Sequence, residues 1–299
     1  MRKGLLLYNP AAGRFPVRRF VRGIIKPLTD AGWSIDIAET LSGTHAVQTA
    51  HQAARENYDA VFAIGGDGTV GRVASGLVHT ETALGVIPAG TVNVWALEQG
   101  QKPFSWIHPG NLRENAKRLA NVEPQYVDVG DCNDQPFLLW AGIGLDAQTI
   151  SKIEPRPRIF KHMAVPHFFV TTVWEATFWQ GLDLRVYAED KLVEGRILVA
   201  VATNIRHYAG ACLSFLPMPC LTMAKWIYGC SAAKTLQIPS VTFSISLQEG
   251  ILTLNMRAAF RSKMCALNPM RTFPFKWMAT QCSAVTRQRS RLNTARSKC

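Results

Sequence analysis

The chain has 299 residues, with 33 Lys plus Arg against 21 Asp plus Glu and a formal net charge of +12. This length allows one large or two medium-sized domains with a substantial core. The sequence contains no run of eighteen or more apolar residues, and its N-terminus has neither an apolar signal segment nor a cleavage site. The composition therefore predicts a cytoplasmic globular protein without a transmembrane segment.

The charge is distributed unevenly along the chain. Residues 211–299 contain 12 basic residues and a single acid, Glu249, which leaves 21 basic and 20 acidic residues before them. The same segment holds six of the seven cysteines, all but Cys132, without the spacing of a zinc site. A basic segment of this kind is typical of an arm that binds nucleic acid or anionic lipid, which is one of two interpretations considered for it.

Strand and helix patterns alternate over the first 120 residues. Strands are predicted at residues 5–8, 34–38, 60–64 and 83–87, with helices over residues 17–31 and 44–55. After a polar, helix-like segment at residues 111–121, strand patterns follow at residues 125–129, 136–142, 182–187 and 196–203. The pattern predicts an α/β domain with parallel strands, followed by a β-rich domain.

Three of the predicted strands end in short loops rich in small residues. These loops read NPAAG at residues 9–13, GGDGT at residues 65–69 and PAGTVN at residues 88–93. Glycines let backbone N–H groups approach an anion, and a helix opening near Val70 adds a favourable dipole. Because ligands bind beyond the carboxyl ends of parallel strands, the three loops predict one nucleotide-binding surface.

The motifs NPAAG, GGDGT and IPAGTVNVWA (residues 87–96) resemble those of the diacylglycerol kinase catalytic domain. FLLWAGIGLDA at residues 137–147 and VATN at residues 201–204 extend the resemblance, which runs in order from residue 3 to about Gly210. The chain is thus similar to bacterial soluble lipid kinases and to sphingosine kinases. GGDGT is shared with NAD kinases, so an NAD-kinase-like enzyme and a noncatalytic ATP-binding remnant are alternatives. The family usually continues GGDGT-x-Asn-Glu, whereas this chain has Val70-Gly71-Arg72.

The resemblance implies a fold, a reaction and its partners. The expected fold is an N-terminal Rossmann-like parallel sheet of NAD-kinase-like topology in residues 1–124 and a partial, β-rich, sandwich-like lipid-substrate domain in residues 125–210. The implied reaction uses ATP and Mg2+ to phosphorylate a lipid hydroxyl, such as that of diacylglycerol, at a membrane surface to which the protein attaches peripherally.

Residues 153–179 are apolar and aromatic, and there the resemblance suggests helices beside a lipid cleft, although core packing is the favoured interpretation. No nucleic-acid partner is expected, and the sequence leaves the oligomeric state open.

The resemblance also implies which residues contact the nucleotide. They are Asn9, Pro10, Ala11, Ala12, Gly13, Thr40, Gly65, Gly66, Asp67, Gly68, Thr69, Val70, Gly71, Thr91 and Asn93. Asp67 is the expected catalytic residue, which orients a substrate hydroxyl or, through water, a magnesium ion. The structural alternatives are a turn-stabilising role for Asp67 and a helix N-cap for Thr40. For Asp146, which follows a glycine turn, a structural cap is favoured over catalysis.

The family motifs stop near Gly210. A Ser-Pro-Asn-Ala stretch, a DDGxxD motif and a DGE or DGD motif should follow, and none is present as written. Read from the third base of each preceding codon, however, residues 216–220 permit Ser-Pro-Asn-Ala-Leu. Residues 222–227, with the two bases that follow them, permit Asp-Asp-Gly-Lys-Met-Asp-Leu. Residues 273–281, with the two bases that follow them, include a stretch that permits Pro-Phe-Gln-Met-Asp-Gly-Asp-Pro-Val. Several of these codons are forced, because Met and Trp have one codon each.

We therefore expect residues 211–299 to be an out-of-frame tail that arises from one missing or two extra bases at about Gly210-Ala211. The β-rich domain is then incomplete or disordered as written, and the kinase is impaired.

Overall fold

The computed structural model describes residues 1–13, 16–105, 107–153, 164–188, 191–203, 205, 207–208, 213–214, 226–231, 234–239, 242–247, 256–257 and 260–265. The first half contains β1 (Arg2–Tyr8), a 3-10 turn (Val17–Arg19), α1 (Val21–Asp30), β2 (Trp33–Glu39), α2 (Gly43–Arg55), β3 (Ala60–Gly65), α3 (Asp67–Leu77), β4 (Ala83–Pro88), α4 (Val94–Glu98) and α5 (Asn111–Leu119). There follow β5 (Gln125–Cys132), β6 (Gln135–Phe137), β7 (Trp140–Gly144), α6 (Leu145–Ile153), α7 (Ala164–Phe178), β8 (Leu182–Ala188) and β9 (Lys191–Thr203). The remaining strands are β10 (His207–Tyr208), β11 (Leu213–Ser214), β12 (Trp226–Ser231), β13 (Lys234–Pro239), β14 (Thr242–Leu247), β15 (Met256–Arg257) and β16 (Phe260–Cys265).

The first sheet has the strand order β2-β1-β3-β4-β16-β5-β6 over the described residues. Strands β2, β1, β3 and β4 are parallel, which confirms the predicted α/β sheet. Strand β16 lies parallel to β4 and antiparallel to β5. The division of the chain at residues 124 and 210 remains a prediction, since β5 and β16 both pair within this first sheet.

Alternate residues of the central strands point to opposite faces of this sheet, as the period of a β-strand requires. Leu6 and Phe62 pack with Leu28 of α1 on one face, and Leu7 and Val61 pack with residues of α2 and α3 on the other. Every residue of β3 and β4 is buried. The apolar runs in the sequence therefore become central strands, and the loops that follow them lie together at one edge.

The second sheet is antiparallel, with the order β13-β12-β9-β8-β14-β15 and with β7 paired to β9. The predicted β-rich character after residue 124 is confirmed. The described parts of residues 211–299 include β12 to β15 in this sheet and β16 in the first. Among the described helices, none combines the length and apolar character required to cross a membrane.

Two predicted elements differ from the structure. The helix predicted over residues 17–31 begins only at Val21, because Val17–Arg19 forms a 3-10 turn that starts from Pro16. The strand predicted over residues 136–142 is divided into β6 and β7, and Leu138 and Leu139 between them are buried. A continuous apolar run in a sequence does not distinguish one strand from two strands joined by a buried bend.

Candidate nucleotide-binding site

Three loops meet at the carboxyl edge of the parallel strands. The first loop (residues 9–13) follows β1, the second loop (residues 65–69) joins β3 to α3, and the third loop (residues 88–93) joins β4 to α4. Because β1, β3 and β4 are adjacent and parallel, their carboxyl ends lie side by side. The structure thus brings together the loop residues that the sequence predicted.

Asn9 connects the first loop to the second. Its side-chain amide donates to the Thr69 hydroxyl at 3.0 Å, while its Oδ1 accepts the Ala11 N–H at 2.8 Å. Its backbone N–H donates to the Ile64 carbonyl at 3.1 Å, and its carbonyl accepts from Ala12 at 3.1 Å. An asparagine can link the two loops because its side-chain amide carries both a hydrogen-bond donor and a hydrogen-bond acceptor.

Asp67 connects the second loop to the third. Its Oδ2 accepts the Val94 N–H at 3.0 Å, and its Oδ1 accepts the Trp95 N–H at 3.1 Å. Both donors belong to the first turn of α4, whose N–H groups have no partner within the helix. Burial raises the pKa of the Asp67 carboxyl above its usual range, and the backbone N–H donors of Val94 and Trp95 offset part of that effect. Asp67 thus holds the start of α4 against the second loop.

Asn93 closes the third loop on itself. It adopts a left-handed backbone conformation with φ of 60°, and its Oδ1 accepts the Gly90 N–H at 2.7 Å. Its Nδ2 donates back to the Gly90 carbonyl at 3.0 Å. These two bonds fix the loop in the position from which Val94 and Trp95 reach Asp67.

The loops contact each other through glycines. Gly13 has a φ of +63°, and a Cβ there would overlap the Ala89 carbonyl oxygen. A Cβ on Gly90 would overlap the Cα of Gly66. The backbones of all three loops can therefore approach closely only without side chains at these positions.

Thr40 follows β2 and lies at the same edge of the sheet. Its N–H donates to the Tyr8 carbonyl at 2.9 Å, and the residue is buried. The alternative interpretation of Thr40 as a helix N-cap is wrong, because Ser42 caps α2 by accepting the His45 N–H at 3.0 Å. The other predicted residues are distributed over the loops: Ala12 is buried, Pro10 and Thr91 are half-buried, and Ala11 and Gly68 are exposed.

Val70 and Gly71 lie in α3 and are buried. The Val70 side chain belongs to the core, and its N–H donates to the Gly66 carbonyl at 3.0 Å. Gly65 is also buried, and a Cβ there would lie 2.6 Å from the Thr69 Cβ. Among the predicted site residues, these three support the loop from beneath.

Sequence reasoning missed two contacts near the site. The Tyr8 hydroxyl donates to Glu39 Oε2 at 2.6 Å, and this hydrogen bond is the main cause that raises the pKa of Tyr8. The Arg72 guanidinium lies against Gly43, at the start of α2. The only sequence signal for the second contact was the departure from the family pattern at residues 70–72.

Asp146 belongs to none of the three loops in sequence and lies in the first turn of α6. It is buried, and a Cβ on Gly142 would overlap its Oδ2. A carboxylate in a first helical turn is favoured by the helix dipole. Asn204, the last residue of the VATN motif, lies outside the described residues.

Magnesium has no protein cage in the described part of the chain. No three His, Cys, Asp or Glu side chains converge there in a way that could hold a metal ion. Asp67 is the one acidic residue in the second and third loops, and both of its carboxylate oxygens accept N–H groups of α4. The described residues therefore do not fit a site that holds Mg2+ by protein ligands alone.

Comparison with known families agrees with this geometry. Residues 3–132, which include all three loops, match the diacylglycerol kinase catalytic domain. Over these residues the chain is similar to that catalytic domain. The match extends from β1 through β5, and so it contains Asn9, Asp67 and Asn93 together.

Relatives and solved structures extend the comparison beyond the catalytic domain. A diacylglycerol kinase from Bacillus subtilis strain 168 is 30% identical over 146 residues, which are 48% of this chain and 46% of that protein. A probable lipid kinase, YegS-like, from Pseudomonas putida is 33% identical over 149 residues, 49% of this chain and 47% of its own. The chain thus spans about half the length of the curated relatives that it matches. A diacylglycerol kinase crystal structure from Bacillus anthracis strain Sterne shares the fold, with a TM-score of 0.67 at 20% identity over 91% of this chain and 98% of that one.

Proposed function

We propose that the three loops bind ATP and that the chain derives from an ATP-dependent lipid kinase. The observation that carries this proposal is the joining of three small-residue loops at one sheet edge by Asn9, Asp67 and the Gly66–Gly90 contact. Backbone N–H groups and threonine hydroxyls on such loops are donors suited to phosphate oxygens. The family of residues 3–132 supports phosphoryl transfer as the reaction.

The proposed reaction transfers the γ-phosphoryl group of ATP to a lipid hydroxyl. The hydroxyl oxygen forms a bond to the γ-phosphorus, the bond from that phosphorus to the β–γ bridging oxygen breaks, and ADP leaves. Asp67 is the carboxylate of the loops, and we assign it the task of orienting the acceptor hydroxyl and receiving its proton. Magnesium would arrive bound to the ATP phosphates and neutralise part of their charge.

The acceptor we propose is a diacylglycerol or a related lipid alcohol. The names of the matched relatives from Bacillus subtilis and Pseudomonas putida support a lipid acceptor. An NAD-kinase-like reaction is the second candidate, because the GGDGT loop alone fits both. An acceptor screen with radiolabelled ATP, diacylglycerol micelles and NAD distinguishes them: label in lipid alone supports the proposal, and label in NAD alone would contradict it.

We further propose that residues 211–299 are read out of frame and that the chain as written is an impaired kinase. The acidic motifs expected after Gly210 are missing, whereas the other frame permits them in order. A diacylglycerol kinase from Staphylococcus saprophyticus aligns over 213 residues, 70% of this chain, which is close to the length that precedes the composition break. Resequencing the coding DNA from codon 200 onward tests this directly, and an intact frame there would refute it.

The third candidate is a nucleotide-binding remnant without catalysis. It shares the three-loop site with the kinase and differs only in the absence of phosphoryl transfer. ATP-dependent thermal stabilisation without label in any acceptor, in a protein whose frame has been verified, would favour the remnant over the kinase.

A further inference from the structure

Helix α3 carries an arginine whose guanidinium lies beside the start of α2. Arg72 is exposed, and its guanidinium occupies the space next to Gly43, where a Cβ would overlap Nη1 and Cζ. Within the part of the chain that the structure describes, this guanidinium forms no ion pair and no hydrogen bond. The usual family pattern has Glu at this position, so the family match assigns no role to Arg72. All five of its N–H donors are therefore available to a ligand.

The direction of the Arg72 side chain places its charge at the carboxyl edge of the parallel sheet. Helices α2 and α3 both follow parallel strands, so both begin at the edge where the three loops meet. A Cβ on Gly76 of α3 would overlap the Val47 carbonyl of α2, so Arg72, one turn earlier, lies level with the first turn of α2. Side chains of an α-helix tilt toward its N-terminus, and the contact with Gly43, the first residue of α2, agrees with this direction.

The surface between Arg72 and the second loop is open. Gly68 lies four residues before Arg72, on the same face of α3 and about 6 Å away along the helix axis. A Cβ on Gly68 would meet no atom within 4 Å. The Gly68 N–H belongs to the first turn of α3, where N–H groups have no partner within the helix. A ligand oxygen held near this N–H is therefore within reach of the Arg72 guanidinium.

The acid closest to Arg72 along α3 does not neutralise its charge. Asp67 is the one acid in the first turn of α3, and its two oxygens accept the N–H groups of Val94 and Trp95. The first turn of α2 contains no acid. A guanidinium with free donors binds phosphate through two parallel hydrogen bonds, which are stronger than those between neutral groups. The surroundings of Arg72 therefore favour an anionic ligand.

We propose that Arg72 binds the phosphate chain of the nucleotide, with its guanidinium donating to phosphate oxygens beside the Gly68 N–H. This inference rests on the proposed ATP site and adds to it a phosphate-binding residue that lies outside the three loops. A guanidinium can also stack on a base, so the dependence of binding on the phosphates distinguishes the two contacts.

The test is calorimetric titration of the full chain with Mg-ATP and, separately, with adenosine. Arg72→Gln is expected to weaken Mg-ATP binding by at least about tenfold, because charged hydrogen bonds are lost, and to leave adenosine affinity within about twofold of wild type. Arg72→Lys keeps the charge without the paired donors and should bind Mg-ATP with intermediate affinity. Arg55→Gln is the matched control, since Arg55 is exposed at the opposite end of α2, and both of its affinities should equal those of wild type.

A second variant displaces the Arg72 guanidinium without removing it. Gly43→Ala places a methyl group where the guanidinium lies, and only the far end of a flexible side chain has to move. The melting temperature should therefore remain that of wild type, while Mg-ATP binding becomes weaker. In an Arg72→Gln background the same substitution should cause no further loss, since the displaced group is already absent. Equal losses of Mg-ATP affinity in both backgrounds would contradict the proposal.

The outcomes separate this contact from the ATP site on which it rests. Mg-ATP binding that Arg72→Gln leaves unchanged would overturn the role of Arg72 and leave the ATP site intact. Parallel losses of Mg-ATP and adenosine affinity would also overturn the phosphate contact and assign Arg72 to the base or the ribose. Absence of Mg-ATP binding by wild type would refute the ATP site and, with it, this contact.

Discussion

At the scale of single residues, the site depends on contacts between loops that are far apart in sequence. Asn9 reaches Thr69 across 60 positions, and Asp67 reaches Trp95 across 28. The sequence indicated that these loops would converge, because each follows a buried parallel strand. It could not indicate that Asp67 would accept the N–H groups of Val94 and Trp95, since that pairing depends on the three-dimensional position of α4, a helix of five residues.

Gly90→Ala tests whether the loops must touch through glycine. A methyl group there would overlap the Cα of Gly66, so the second and third loops must separate. We expect a loss of about 1–3 kcal/mol of stability from this overpacking, with loss of ATP-induced stabilisation. Thermal unfolding with and without ATP measures both effects.

Gly110→Ala is the control for this substitution, because a Cβ at Gly110 would meet no atom within 4 Å. Its melting temperature and ATP response should remain those of wild type. If Gly90→Ala behaves like Gly110→Ala, the close packing of the loops is not required.

Asp67→Asn tests the burial of the carboxylate through its pH dependence. Because folding raises the pKa of Asp67 above 3.8, the folded protein holds this proton more tightly than the unfolded chain does. Its contribution to the free energy of unfolding is therefore complete below pH 3.8 and is lost as the pH rises through the raised pKa. An asparagine has no proton to lose, so this part of the decrease should vanish in Asp67→Asn.

Denaturant titrations of both proteins between about pH 3 and pH 7 measure this difference. Asp131, whose pKa is also raised by burial, keeps its own contribution in both proteins and cancels in the comparison. Identical pH profiles would mean that Asp67 is not buried against α4 as described.

At the scale of elements, the parallel sheet follows from the apolar runs, but the position of β16 does not. Strands β1 to β4 alternate with helices along the sequence, so the parallel direction of these strands could be predicted. Strand β16 pairs with β4, about 180 positions earlier in the chain, and with β5. Such nonlocal pairing leaves no periodic signal in the sequence around it.

Ser262→Pro tests whether β16 completes the first sheet. Ser262 pairs with Val127 in the interior of β16, between β4 and β5. Proline removes a ladder donor and fixes φ, so we expect a loss of about 3 kcal/mol or more. Chemical denaturation of the full chain measures this loss.

Lys234→Pro provides the matched control, because Lys234 is the first residue of the edge strand β13. Proline is tolerated at the first position of a strand and at a sheet edge, so this variant should lose much less stability. Equal losses, or none in either variant, would show that β16 does not hold the first sheet together.

At the scale of the whole molecule, two regions of different composition share one chain. Residues 3–132 match the diacylglycerol kinase catalytic domain and contain the three loops, while residues 211–299 carry 12 basic residues and one acid. The sequence alone predicted that the three loops would meet, and it suggested the change of frame. The structure adds the strands of the described part of the tail. It also leaves Phe169, Trp174 and Phe178 of α7 exposed, so the favoured interpretation of these side chains as core packing is wrong.

A protein with the restored frame after Gly210 should be the more active form. It regains the Asp-rich motifs that the other frame permits, and removing groups that stabilise charge in a transition state commonly costs about 10²–10³-fold in rate. We therefore expect diacylglycerol phosphorylation at least about 10²-fold faster than with the chain as written. Side-by-side radiolabel assays at equal protein concentration measure the ratio, and a ratio near one would count against the frame proposal.

The central claim is that the three loops form an ATP site, and calorimetric titration of the chain with Mg-ATP tests it most directly. We predict saturable binding to wild type, with none detectable for Gly90→Ala under conditions in which Gly110→Ala still binds. Binding at about 100 times the dissociation constant should also add about 2.7 kcal/mol to stability. Absence of heat and of thermal stabilisation with wild type at millimolar ATP, or equal affinity in all three proteins, would contradict the assignment of the site.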